Sequence, residues 1–186
     1  MSTNEKEIKE LLKLLQEGYT KRDPNFIDTF MEIYSKEKTS LIIGINQQEV
    51  FRGYEGAKEL FLNDWREWGD VKFDLETPDV QVNEETAWVF MDAKVKMTFP
   101  AEFLNKFVLQ NIKGIIENEE TSDKAKMLDV LTFSALTIVE QAKGDIFDCP
   151  IRVSLVLARE EEKWLIQHMH FSFPTKLFPS VRNGEW

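Results

Sequence analysis

The chain has 186 residues, 42% of them apolar and 12% aromatic, enough to bury a full core without metal or disulfide staples. Its 33 acidic against 23 basic side chains leave a net charge of −10, which argues against nucleic-acid binding and against anionic membranes, since both need a basic surface. A single cysteine, Cys149 beside Pro150, permits no intramolecular disulfide and reads as a small buried hydrophobe. With no apolar signal core near Met1 and no run of spanning length, the protein reads as cytoplasmic.

Ser2, Thr3 and Asn4 can cap a first helix over about residues 4–20, whose apolar stripe is Ile8, Leu11, Leu12, Leu15 and Tyr19. Asp23-Pro24 starts a second, with Phe26, Phe30, Ile33 and Tyr34 buried. Short strands are expected at 40–44 and 49–52, across a polar turn. After Gly53-Tyr54-Glu55-Gly56 a third helix carries Ala57, Leu60, Phe61, Asp64, Trp65 and Trp68 on one face, stopping near Gly69-Asp70. A third strand, 71–82, is interrupted at Pro78, and a fourth runs from Thr86 to Phe99.

Residues 100–145 break this rhythm. One helix has Leu104, Phe107, Val108, Ile112 and Ile115 on its apolar side. A second has Leu128, Leu131, Ala135, Ile138 and Ala142 in alternating steps of three and four, ending at Gly144. This helical hairpin lies between the fourth and fifth strands, as extra core, a lid or a subunit contact. No repeat or linker appears, so residues 1–186 read as one domain with an insertion at about 100–145.

The last two strands, 151–158 and 164–173, flank the charged turn Arg159-Glu160-Glu161-Glu162-Lys163. Period-two alternation puts Val89, Met91, Ala93, Val95 and Met97 on one side of the fourth strand, and Val153, Leu155 and Leu157 on one side of the fifth. It assigns Leu165, Gln167, Met169, Phe171 and Phe173 of the sixth to that same apolar side. The other side takes Trp88, Phe90, Asp92, Arg152, Trp164, Ile166, His168 and His170. One apolar and one mixed face predict an α+β fold, an antiparallel sheet with helices on one side only. Aromatic residues rimmed by charge on the mixed face predict a homodimer through Trp88, Phe90, Arg152, Trp164, Ile166, His168 and His170.

The segment Trp164-Leu165-Ile166-Gln167-His168-Met169-His170-Phe171-Ser172 resembles the Trp-x-Ile-x-His-x-His-x-Ser ending of SnoaL-like domains, in the nuclear-transport-factor-2-like superfamily. Val50-Phe51-Arg52-Gly53-Tyr54-Glu55-Gly56-Ala57 is similar to the family's entry into its third helix, and the likeness covers about residues 4–99 and 148–174. The resemblance implies a cone: a strongly curved antiparallel sheet wrapped round the N-terminal helices, with a pocket at its wide end and frequent dimerisation through the sheet. It implies no particular reaction, since the fold hosts isomerases, dehydratases, cyclases, hydrolases and binding modules.

The side assigned to the interior offers Met91, Met97, Gln167, Met169 and Phe171, with Tyr19, Tyr34, Tyr54 and Trp65 from the helices. That set suits a small apolar ligand and lacks an acid–base pair, so the reading leans towards a non-catalytic binding domain. If instead the mixed face lined the pocket, Asp92, Arg152, His168 and His170 would gather as an isomerase-, cyclase- or dehydratase-type site. A protein-interaction module is the third possibility. His168-x-His170 is too sparse for a metal site, and no Gly-rich phosphate loop, nucleophile elbow or cysteine cluster is present; neither metal nor cofactor is expected.

Overall fold

A computed structural model describes residues 3–45, 49–98 and 100–174. The turn at 46–48 and Phe99 therefore lie outside the described residues. The chain divides into two compact units, residues 1–95 with 149–186 and residues 96–148.

In the first unit, α1 (Thr3–Lys21) buries the predicted stripe of Ile8, Leu11, Leu12, Leu15 and Tyr19. The Asp23 carboxylate accepts from the Asn25 N–H at 2.9 Å and caps a 3-10 turn, Pro24–Phe26. From there α2 (Ile27–Phe30) and a second 3-10 turn, Met31–Ile33, bury Ile27, Phe30, Met31 and Ile33. Next come β1 (Leu41–Ile43), β2 (Val50–Arg52) and α3 (Gly53–Glu67). Gly53 sits at φ +71, donating its N–H to the Ser40 carbonyl at 2.7 Å, a backbone conformation that costs glycine nothing.

The remaining strands are β3 (Asp70–Phe73), β4 (Asp79–Asn83), β5 (Thr86–Thr98), β6 (Ile146–Glu160) and β7 (Lys163–Ser172). All seven form one curved, unclosed sheet in the order β2-β1-β7-β6-β5-β3, with β4 also on β5. The expected third strand is split by the Asp74 side chain, which accepts from the Glu76 and Thr77 N–H groups and from the Thr77 hydroxyl. The sheet is not wholly antiparallel: β1 runs parallel to β7, Leu41 opposite His168 and Ile43 opposite His170.

The alternation holds on β5, where Ala87, Val89, Met91, Ala93 and Val95 are buried and Trp88, Phe90, Asp92 and Lys94 exposed. It holds on β6, with Ile151, Val153, Leu155 and Leu157 buried. It fails on β7. Leu157 pairs with Ile166, but Val156 pairs with His168, leaving Gln167 as an extra residue in a β-bulge. Before the bulge Trp164 (5% exposed) and Ile166 (0%) are inside; after it Met169 (0%) and Phe171 (1%) are. Trp164 and Ile166 are thus core residues, not part of an outer dimer face, and Gln167 is not part of the regular inner row. A single inserted residue shifts the phase of a period-two pattern, which an unbroken alternation cannot foresee.

In the second unit, α4 (Ala101–Glu117) and α5 (Asp123–Gln141) form an antiparallel hairpin. Gln141 Nε2 donates to Asn105 Oδ1 at 2.7 Å at one end, and Lys126 Nζ to the Ile116 carbonyl at 2.9 Å at the other. On α5 the half-buried positions are Ala125, Lys126, Val130, Phe133, Ser134, Thr137 and Gln141. The predicted stripe lies on the opposite side and is exposed: Leu128 by 64%, Leu131 by 66% and Ile138 by 65%. On α4, Phe103, Phe107, Leu109 and Ile116 are exposed too, while Val108 is buried. No helix among the described residues is long and apolar enough to cross a membrane.

Candidate functional site

Two neighbouring features of the first unit have the character of a site. The first is a buried polar pair. Tyr19, four residues along α1 from Leu15, donates its hydroxyl to Asp64 Oδ2 at 2.8 Å. Both are inside, Tyr19 2% and Asp64 8% exposed. The Asp64 carboxyl is pushed up to about 7: burial is the main cause, opposed by the Tyr19 hydrogen bond, aided by the Glu49 charge and opposed again by Arg22. Tyr19 and Tyr34 are held well above the usual phenol range, first by burial and then by the Asp64 charge. Around them Phe30, Phe61, Trp65 and Phe73 pack edge-on, with Tyr19 5.4 Å from Phe73 and Phe30 5.0 Å from Phe61 between ring centroids.

Arg22 ties this pair to the end of α3. Its guanidinium donates to the carbonyls of Asp64, Trp65 and Trp68, satisfying acceptors that a helix C-terminus leaves open, and bridges to Asp70 at 3.3 Å. The Trp65 indole N–H is buried without a hydrogen-bond partner among the described residues, a donor in an otherwise aromatic wall. Tyr34 donates to Met169 Sδ at 3.2 Å.

The second feature is an open groove of about 1120 Å³. Its apolar surface comes from Val71, Phe73, Leu75, Ala93 and Ile151, and Gln16, Thr20, Asp92, Lys94 and Arg152 bring polar groups to it. Gln16 closes one wall: its amide donates to the Val71 carbonyl at 3.0 Å and accepts from the Phe73 N–H at 2.8 Å. Phe73 belongs to both features, since it lines the groove and Tyr19 packs edge-on against its ring.

Of the residues the sequence offered for a ligand, Tyr19, Tyr34, Trp65, Met91, Met169 and Phe171 are buried around the first feature or on the inner sheet face. Tyr54, Met97 and Gln167 are half-buried, and none of the nine lines the groove. Of the alternative set, Asp92 and Arg152 line the groove, whereas His168 and His170 stand on the outer face opposite Val156 and Ser154. β6 lies between β5 and β7, so Asp92 and His168 are separated by two strand spacings, roughly 9 Å or more, and do not form a pair. Asp64 is the residue the sequence reading passed over as part of a packing stripe. A carboxylate in an apolar helical row was the signal that could have found it. Among the described residues no cluster of three or more His, Cys, Asp or Glu is placed to hold a metal ion.

Comparison with known proteins places this geometry in a family. The SnoaL-like domain model matches residues 8–114 and 109–176. The chain belongs to the SnoaL-like domain family. Among curated proteins, no sequence matches it. Solved structures similar to this SnoaL-like domain include a nuclear transport factor 2-like superfamily protein from Salmonella enterica, at 16% identity and TM-score 0.57, covering 97% of this chain and 96% of that one. A ketosteroid isomerase-like protein from Erwinia carotovora matches at 11% identity and TM-score 0.54, over 94% and 99% of the two chains. An NTF2-like protein of unknown function from Pseudomonas putida matches at 15% and 0.56, over 96% and 99%. At such identities these likenesses establish the fold of the SnoaL-like domain and not its chemistry.

Proposed function

We propose that this SnoaL-like domain binds a small, largely apolar molecule and works as a homodimer. The observation that carries the reading is the groove: its volume, about 1120 Å³, suits an organic ligand, and its apolar lining is met by polar groups from Gln16 and Thr20 and by charged side chains that include Asp92, Lys94 and Arg152. The buried aromatic and methionine set behind it supplies a rigid wall, so little ordering is lost when a ligand arrives. The self-contact would use the outer sheet face, where Trp88 and Phe90 of β5 are 47% and 44% exposed, with Arg152 on β6 and His168 and His170 on β7.

Thr20 is exposed and lines the groove, so Thr20→Trp fills it without disturbing the core. A panel of fused-ring and long-chain probes, beginning with anilinonaphthalene sulfonate, is titrated against both forms. Binding that weakens at least tenfold in Thr20→Trp, at unchanged melting temperature, supports the reading. Equal binding by the two proteins, or none by the parent, removes it.

A second reading, acid–base catalysis by Asp64 with Tyr19, is favoured by one observation: a buried carboxyl pushed up to about 7 gives and takes protons near neutral pH. The ketosteroid isomerase-like relative shares this fold. Cyclic enones and β-hydroxy ketones, followed by ultraviolet absorbance, test it. Turnover that survives Asp64→Asn would exclude this carboxyl.

A further inference from the structure

We propose that α5 is a self-association element, and that its occupant is the same stripe of a second copy packed antiparallel. The stripe Leu128, Leu131, Ala135, Ile138 and Ala142 repeats in steps of three and four, the 3.5-residue period of a coiled-coil seam. A seam of that kind normally faces a helix. Here α4 takes the other side of α5, through Lys126 and Gln141, and among the described residues the seam is exposed.

The size of the stripe fits a second copy. Leu128, Leu131 and Ile138, flanked by Met127 and Val139, are each more than half exposed. At roughly 100 Å² apiece, with the alanines between them, they offer roughly 600 Å² per copy, the lower end of specific interfaces. The order of side chains fits it as well. A twofold axis at Ala135 sets Ala135 against itself, Leu128 against the small Ala142, and Leu131 near Ile138. The alanines at the axis and opposite Leu128 let the helices approach closely, and Leu131 and Ile138 fill the space between. A parallel pairing would set Leu128 on Leu128 instead.

Charge points the same way. The chain carries −10, yet the five seam positions bear no charge, so two copies meet there without bringing like charges together. In the antiparallel pairing the exposed Lys124, one step before the seam, comes near the exposed Asp145 beyond its far end. A parallel pairing would bring lysine to lysine. This contact is separate from the outer sheet face and does not depend on it.

The test is site-specific cross-linking of the full chain in a Cys149→Ser background. Ala135→Cys lies on the axis and forms a disulfide-linked dimer under mild oxidation. Asp129→Cys, on a flank of the same helix, links at no more than a tenth of that yield. By sedimentation equilibrium in a Trp88→Arg background, which removes the outer-sheet contact, Leu131→Glu weakens dimerisation by at least about a hundredfold while circular dichroism is unchanged. Adding Trp88→Arg to the Ala135→Cys protein leaves its cross-link intact. The proposal is overturned if Asp129→Cys links as readily as Ala135→Cys, if Leu131→Glu leaves self-association unaltered, or if the parent stays monomeric at millimolar concentration. A monomer that co-sediments with phosphatidylcholine vesicles would overturn it too, by giving the stripe to a lipid surface.

Discussion

Replacing Asp64 by asparagine gives the sharpest check on the interior site. Asparagine keeps the shape and still accepts the Tyr19 hydroxyl, but it cannot ionise. In the unfolded chain the carboxyl titrates near 3.8; in the fold, burial raises it to about 7. A folded value above the unfolded one means that the associated stability is fully present below pH 3.8 and is lost as pH rises towards 7. The difference of about three pH units, at about 1.4 kcal/mol each, amounts to about 4 kcal/mol at pH 8. Asp64→Asn should therefore match the parent near pH 4 and exceed it by up to about 4 kcal/mol at pH 8. For a chain of this length that is roughly 10 °C in melting temperature. Urea unfolding of both proteins at half-unit steps from pH 4 to 8 measures it, because every other titrating group cancels in the difference. Parallel curves would mean that the carboxyl is charged throughout. The acid–base reading would lose its motive with it.

Three further outcomes are expected. Gly18 lets the Phe30 ring lie against α1, and a Cβ there would overlap that ring, which Tyr34, Phe61 and Trp65 prevent from backing away. Gly18→Ala should destabilise by about 1–2 kcal/mol, overpacking of up to about 3 kcal/mol outweighing the gain of about 1 in helix propensity, and an unchanged thermal midpoint would contradict it. Gln16→Leu strands the Val71 carbonyl and the Phe73 N–H, with an expected loss of about 1–3 kcal/mol and faster hydrogen exchange at the Phe73 amide; retained protection there would show that another group holds β3. His168 is held below the usual histidine value by burial and then by His170, so it favours the fold above pH 6.5 and withdraws that support as pH falls below it. Its ring resonances should titrate below 6.5 by NMR, and a midpoint at or above that value would place it in water.

Much of this architecture is legible in one dimension, because each element obeys a local rule. The spacing of Ile8, Leu11, Leu12, Leu15 and Tyr19 can only make an apolar stripe on a helix, and α1 buries that stripe. Asp23-Pro24 marks a helical start by chemistry confined to three residues. On β5 and β6 the side-chain period and the burial pattern coincide position by position.

Tertiary structure decided what depends on partners distant in the chain. The phase of β7 was set by pairing with β6, where the Gln167 bulge carried Trp164 and Ile166 inwards and left His168 and His170 outside. Asp64 became a carboxyl of raised pKa because packing took it out of water, and α1 brought it a hydrogen bond from Tyr19, forty-five residues away in sequence, that partly offsets the burial. The parallel contact of β1 with β7 and the groove between α1, β3 and the long strands have no local signature at all. Composition and periodicity determined which residues are apolar and which share a face. Which face met which, and which carboxylate lost its water, followed from long-range pairing, because burial and register are properties of the assembled chain.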